Sequence, residues 1–199
     1  MRIQKALGII FFLAVSFVPW LAQAEVAIYV EPRHHAYYEN DDYYSPFTWG
    51  IGLGVAVPGN GFGGTYNAGF GGDGNIGVHL NHGLSLLLAV DSHVFQTPSN
   101  GIYSQEVNVM PSLKVDLGLS DVRPYVIFGG GFNENIAYYP TYYGTAYTST
   151  SNPVVSAGFG VAFNVGYRLD IYLQAKYEDV LQSGGNFSYV PIAVGVQFD

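Results

Sequence analysis

From Thr48 onward, apolar side chains alternate with small or polar ones at a period of two. Trp49, Ile51, Leu53, Val55 and Val57 are separated by Gly50, Gly52, Gly54 and Ala56. Successive side chains of a strand point to opposite faces, so this pattern predicts a strand with two unlike surroundings. The same reading applies from Thr65 to Leu80, where Phe70, Ile76, Val78 and Leu80 oppose Asn67, Asp73, Asn75 and His79. Next, Leu84, Leu86, Leu88 and Val90 share a face, with Ser85, Asp91 and His93 on the other. Val107, Val109, Leu113 and Val115 alternate with Asn108, Met110, Ser112, Lys114 and Asp116. Pro124 to Asn135 is a strand of open phase, because both faces are apolar or glycine. Three further runs follow, at Val155 to Val165, Ile171 to Glu178 and Tyr189 to Phe198; the middle one sets Tyr172, Gln174, Lys176 and Glu178 against Ile171, Leu173, Ala175 and Tyr177.

The connections alternate in character. Those near Asn81, Gly118 and Gly166 are short, while the breaks after Val57, Phe95, Ile136 and Leu181 are mostly longer and richer in Tyr, Ser and Asn. The longest predicted break runs from Ile136 to Pro153. An even set of about eight strands, with short turns on one side and longer loops on the other, predicts an all-β fold: an eight-stranded antiparallel transmembrane β-barrel, an up-and-down meander over residues 48–198, with both chain ends on the periplasmic side. The rival is a soluble periplasmic barrel of lipocalin type, which would point its apolar face inward. Lys114 and Asp116, on one face of a regular strand, are hard to place in lipid and easy to place in a polar lumen, which favours the membrane barrel. Trp49, Tyr66, Tyr103, Tyr125, Tyr138, Tyr167, Tyr177 and Phe198 fall near strand ends, as interfacial girdles do.

The first residues follow a different pattern. Arg2 and Lys5 precede an apolar run from Ala6 to Leu21 that closes on Ala22-Gln23-Ala24. A basic start, a short apolar core and a small-x-small site predict a cleaved signal peptide at 1–24 rather than a membrane anchor. Residues 25–47, with Glu31-Pro32-Arg33-His34-His35 and the Tyr37 to Tyr44 stretch, have no strand or helix period and are expected to be a flexible periplasmic segment.

Composition sharpens this reading. Charged residues are 11%, aromatics 16%, and there are 26 glycines and no cysteine. Few charges and many aromatics suit one lipid face and one polar face, and without disulfides a closed hydrogen-bonded sheet must supply the stability. Removing the signal peptide leaves five Lys and Arg against fifteen Asp and Glu, which excludes a nucleic-acid partner on electrostatic grounds.

The runs Asn108-Val109-Met110-Pro111-Ser112-Leu113-Lys114, Arg123-Pro124-Tyr125-Val126, Ala157-Gly158-Phe159-Gly160-Val161 and Val194-Gly195-Val196-Gln197-Phe198 resemble the small outer-membrane barrel group that includes the OmpA transmembrane domain and OmpX. The resemblance is loose and covers most of 48–198. It implies fold and outer-membrane location, with contact to outer-membrane lipid and lipopolysaccharide, handling by the barrel-assembly machinery, and a monomer. Members often end on an aromatic residue, whereas this chain places Phe198 one position before Asp199.

Candidate chemistry is sparse. Asp91-Ser92-His93 contains the residue types of a hydrolase triad, and lipid A-modifying enzymes do use small barrels. Strand neighbours, however, face opposite ways, so no catalytic residue is assigned. Asp73, His79, Asp91, His93, Asn108, Lys114, Asp116, Gln174, Lys176 and Glu178 are expected to form a polar lumen network. Buried charges demand partners, which favours a plug of salt bridges over the alternative, a narrow passive pore. His34 and His35, beside several acids, are weak candidates for zinc or copper, and no cofactor is expected. Tyr138, Tyr139, Tyr142, Tyr143 and Tyr147 are expected to form a surface contact, since tyrosine offers large area at low entropic cost.

Overall fold

The computed structural model describes residues 45–81, 83–98, 102–118, 120–141 and 144–199. The predicted signal peptide and all but the end of the predicted leader lie outside them. Eight strands follow in chain order: β1 (Phe47–Pro58), β2 (Gly69–Asn81), β3 (Leu84–Gln96), β4 (Tyr103–Asp116), β5 (Val122–Thr141), β6 (Gly144–Gly166), β7 (Leu169–Val180) and β8 (Phe187–Phe198). Each pairs antiparallel with the next, and β1 closes the ring on β8. This is the up-and-down barrel that the alternation predicts.

The stagger of the ring can be read from the pairing. Followed one way, Val55 leads through Phe70, Val94, Gln105 and Ile136 to Ser149. Followed the other way, it leads through Ile192 and Ala175 to Phe159, ten residues further along β6. A shear of this size goes with strands tilted roughly 35–45° from the barrel axis.

The start of β1, the end of β8, Gly83 and the described residues of the β4–β5 and β6–β7 connections lie at one end of the barrel. Residues 59–68, 97–98 and 181–186, with the paired tip Thr141↔Gly144 of β5 and β6, lie at the other. Two predicted boundaries change. The second strand starts at Gly69, not Thr65, because the preceding residues make tight turns that turn Phe62 inward. The predicted break from Ile136 to Pro153 is instead a continuous hairpin, paired from Phe132↔Pro153 to Thr141↔Gly144. Its tip extends past the neighbours of β5 and β6: β4 pairs no further than Tyr138 and β7 no further than Val154.

The two faces separate cleanly. Leu53, Phe70, Phe128, Phe132, Phe159 and Val194 are exposed on the outside. The inside carries the polar groups and many of the strand glycines. A side chain on Gly52 or Gly195 would strike the Tyr172 ring, and one on Gly160 would strike Tyr125. These glycines therefore make the room in which two inward tyrosines lie across the lumen. Tyr125, at 3% exposure, thus fixes the open phase of β5 and does not belong to the outer girdle. Tyr66 likewise packs at the lumen mouth. Trp49, Tyr103, Tyr167 and Tyr177 are exposed, and Trp49 stacks on Phe198 with centroids 4.4 Å apart.

Candidate functional site

The lumen is filled by side chains in layers. Where β1 begins and β8 ends, β8 supplies Gln197, whose Nε2 donates to Thr48 Oγ1 at 2.9 Å. Lys114 Nζ donates to Gln197 Oε1 at 3.3 Å, lies 3.4 Å from Asp116 and sits over the Tyr125 ring. Arg123 pairs with Asp170, and its guanidinium is also 3.8 Å from Asp199. His79 bridges Ser85 Oγ at 2.8 Å and Asp199 Oδ1 at 3.2 Å. Serine, histidine and aspartate thus lie in hydrogen-bonded series, with Ser85 fully buried. The series ties β2, β3 and the residue after β8 together.

In the middle layer Tyr172 donates to Asp73 Oδ2 at 2.6 Å and Tyr125 to Gln174 at 3.3 Å. Asp73 and Asp91 are directly paired across β2 and β3, an arrangement that repels unless something intervenes. Lys176 reaches from β7 to Asp91 Oδ2 at 2.6 Å and to Glu178 Oε1 at 3.1 Å. A cavity of about 20 Å³ remains between these groups. That is room for roughly one water. Asp73 Oδ1, Asn75 Oδ1 and Asp91 Oδ1 have no hydrogen-bond partner among the described residues, and all three residues line the cavity.

The next layer is an amide-carboxylate chain. Asn108 Nδ2 donates to Glu178 at 2.6 Å and to Tyr189 Oη at 2.7 Å. Asn133 donates to Asn108 at 2.7 Å and to Glu106 at 3.0 Å, and Glu106 also accepts from Ser104 and Asn135. Above it, the lumen is closed by an apolar cluster of Ala56, Phe62, Phe95, Met110, Val154, Val180, Phe187 and Tyr189.

All ten residues of the expected lumen network lie on inward-facing strand positions. Nine take part in, or line, the polar layers. His93 is the exception in kind: it is buried at the edge of the aromatic cluster, 5.9 Å from the Tyr189 ring, and its Nδ1 has no partner. Glu106, Asn133, Asn135, Arg123, Asp170, Tyr172 and Gln197 complete the network and were not singled out from sequence. Glu106 and Asp170 continue the inward phases of β4 and β7 by one step beyond the runs read there. In total Lys114, Arg123 and Lys176 face Asp73, Asp91, Glu106, Asp116, Asp170 and Glu178, an excess of carboxylates. Within Asp91-Ser92-His93, Ser92 points outward and accepts from Gln105 at 3.2 Å, while its neighbours point into the lumen.

Outside the lumen, Tyr103 stacks on Tyr138 at 4.6 Å, and Tyr138 tilts against Tyr147 at 6.2 Å. These three are cross-strand partners on β4, β5 and β6, so they form a ladder on the outer face of the long hairpin. Tyr139 lies on the other face, its hydroxyl 3.2 Å from Thr148 Oγ1. Tyr142 and Tyr143 lie outside the described residues, as do His34 and His35. Among the described residues no cluster of three or more metal-ligating side chains occurs.

No protein-family profile and no curated protein sequence matches the chain. Solved structures do. Neisserial surface protein A superimposes with a TM-score of 0.55 at 18% identity, over 77% of this chain and 97% of that one. The N-terminal β-barrel domain of Pseudomonas aeruginosa OprF gives 0.49 at 13%, over 77% and 98%. The attachment invasion locus protein Ail of Yersinia pestis gives 0.49 at 12%, over 76% and 96%. The chain has the fold of the small eight-stranded outer-membrane barrels.

Proposed function

We propose that the chain is a non-enzymatic bacterial outer-membrane protein, exported by a signal peptide, whose lumen is plugged and whose long hairpin makes surface contacts. The observation that carries this reading is the outer face. Along β1 it reads Phe47, Trp49, Ile51, Leu53, Val55, Val57, and the other strands repeat the theme. Eleven residues at about 3.3 Å each, tilted as the stagger requires, span roughly 25 Å, the height of a barrel's apolar band. Among the described residues the only charged side chains on the outer faces of the strands are Glu134 and Asp179, both near the hairpin end. In water such a surface would aggregate; in lipid it is the expected one.

The plug reading is supported by the layers above, which leave little open volume. A surface role is supported by the Tyr103–Tyr138–Tyr147 ladder on a hairpin that outreaches its neighbours. The hairpin has no Lys or Arg among its described residues. Contact with lipopolysaccharide there would run through tyrosine rings and hydroxyls rather than cation–phosphate pairs. Cell fractionation with gel mobility before and after boiling tests the central claim. A boil-sensitive species in outer membranes is expected, and recovery in the soluble periplasm would overturn it.

A further inference from the structure

The lumen cations differ in what surrounds them. Arg123 pairs with Asp170 through a guanidinium, and Lys114 lies 3.4 Å from Asp116, two positions along its own strand. Lys176 faces two carboxylates at once. Its Nζ donates to Asp91 Oδ2 at 2.6 Å and lies 3.1 Å from Glu178 Oε1. Asp91 and Glu178 are fully buried, and Lys176 nearly so. A nitrogen bonded to one oxygen of a carboxyl group sits roughly 3–3.5 Å from its carbon, the separation of a near-attack pair. An amine, a carboxyl carbon and a second carboxylate are thus held together away from bulk water. β3 and β7 stand four strands apart either way round the ring, so the contact reaches across the lumen.

The remaining oxygens are placed for a reaction. Glu178 Oε2 is fixed by Asn108 Nδ2 at 2.6 Å, and Oε1, apart from its contact with Nζ, has no partner among the described residues. Asp91 Oδ1 has none either, and Asp91 lines the cavity of about 20 Å³. That cavity has room for roughly one water. Asp73 stands directly opposite Asp91, with its own Oδ2 held by Tyr172. The layer therefore packs the carboxylates of Asp73, Asp91 and Glu178 around the one ammonium of Lys176. Burying ions is costly, so the neutral amine and acid, which are the reactive forms, lie closer in energy to the ion pair here than in water. Joining Lys176 to Asp91 removes one charge of each sign and ends the repulsion between Asp91 and Asp73.

We propose that this site modifies itself: Lys176 and Asp91 condense to an amide, with Glu178 as the acid–base catalyst, and the bond becomes a covalent strut from β7 to β3. Glu178 Oε1 takes a proton from Nζ and passes it to Asp91 Oδ1. The amine lone pair then forms the Nζ–Cγ bond. Collapse of the tetrahedral centre breaks the Cγ–Oδ1 bond, and its electron pair leaves on oxygen. Glu178 carries a second proton from the nitrogen to that oxygen, which departs as water into the cavity. The last Nζ proton stays on the amide, Asp91 Oδ2 becomes its carbonyl, and Glu178 ends as it began. No oxidant or further reactant is consumed. The same reaction is closed to Arg123, which keeps its proton. It is closed to Lys114 because, among the described residues, Asp116 is the one carboxylate within 4.0 Å of its Nζ. Freshly folded protein holds the ion pair, and the bond accumulates on standing. Once formed, it restricts the unfolded chain as a disulfide would, in a chain without cysteine.

The reaction needs the closed barrel and not the membrane around it, so its test is independent of where the barrel resides. The chain is refolded in detergent micelles, its boil-sensitive form is isolated, and its intact mass is followed over time beside the same chain kept in urea. The folded form is expected to become lighter by the mass of one water, and the unfolded form to keep its mass. Trypsin should no longer cut after Lys176, and the peptide that carries it should be joined to the one that carries Asp91. Asp91→Ala should keep its full mass, and Glu178→Gln should condense at least about a hundredfold more slowly. Folded native protein that keeps its full mass would overturn the proposal. So would a loss of water without the joined peptides, as from a cyclic imide at Asp73-Gly74, or condensation of Glu178→Gln at the native rate. If Glu178→Gln does not refold, the joined peptide in the native protein still decides, since it is read without any variant.

Discussion

Lys176 Nζ lies 2.6 Å from Asp91 Oδ2 in the middle of the lumen, joining β7 to β3 across the barrel. The same ammonium reaches Glu178 at 3.1 Å, so one cation holds two carboxylates that are fully buried. The relationship reaches further, because Glu178 is bonded to Asn108, which leads through Asn133 to Glu106. A single cation thus anchors a chain of polar groups that spans four strands, β3, β4, β5 and β7.

Removing that cation strands two buried negative charges. Lys176→Met is therefore expected to cost about 3–5 kcal/mol, the usual penalty for breaking a buried pair from one side. The triple change Asp91→Asn, Lys176→Met, Glu178→Gln removes the charges together and should cost much less. Urea unfolding in vesicles, followed by gel mobility, measures both. Equal losses in the two variants would show that the charges are not what holds the layer.

Leu53 tests the outer face. It lies midway along β1 and is 72% exposed. On a water-facing surface, arginine there would change stability by no more than about 0.5 kcal/mol. At the middle of a lipid-facing band it should cost about 2–4 kcal/mol. Arginine at Thr145, on the outer face of the hairpin tip, should be nearly silent in the same assay.

The glycine–tyrosine fit makes a coupling prediction. A methyl group at Gly52 would collide with the Tyr172 hydroxyl and crowd Asp73. Gly52→Ala is expected to destabilise by about 1–3 kcal/mol through overpacking. With Tyr172→Phe the nearest ring atom is 3.2 Å away, a contact that small shifts relieve. The double variant should therefore be more stable than the sum of the single losses predicts, and strict additivity would show that the two sites do not touch.

How much of this was legible follows from what creates a period of two. Strands alternate only where their faces meet different surroundings. β1, β4 and β7 do, and their inward residues could be numbered from sequence. The tip of the β5–β6 hairpin meets the same surroundings on both sides, so Thr145 to Ser151 are all exposed and carry no alternation. It read as a loop although it is fully paired. β5 lost its phase for the opposite reason: Ile127 and Tyr125 join an inner apolar cluster while Phe128 faces out, so both faces look apolar. Phe62 left no periodic trace at all, because it enters the lumen from a connection. Its burial follows from tertiary packing against Phe95 and Phe187.

The last prediction concerns acid. Asp199 is partly buried, which by itself would raise its carboxyl pKa. Hydrogen bonds from His79, Gln197 and Thr48, with the His79 charge, outweigh that and hold it well below the usual carboxylate range. A group whose folded value is depressed stabilises the fold above its unfolded value, near 3.9, and the contribution fades as pH falls toward the folded value. Asp199→Asn should therefore be less stable than the native barrel at pH 7, and the gap should narrow only below about pH 4. Other carboxylates titrate in both proteins, so the difference between the two urea midpoints isolates Asp199. A gap that stays constant down to pH 2 would mean that Asp199 contributes through packing rather than charge.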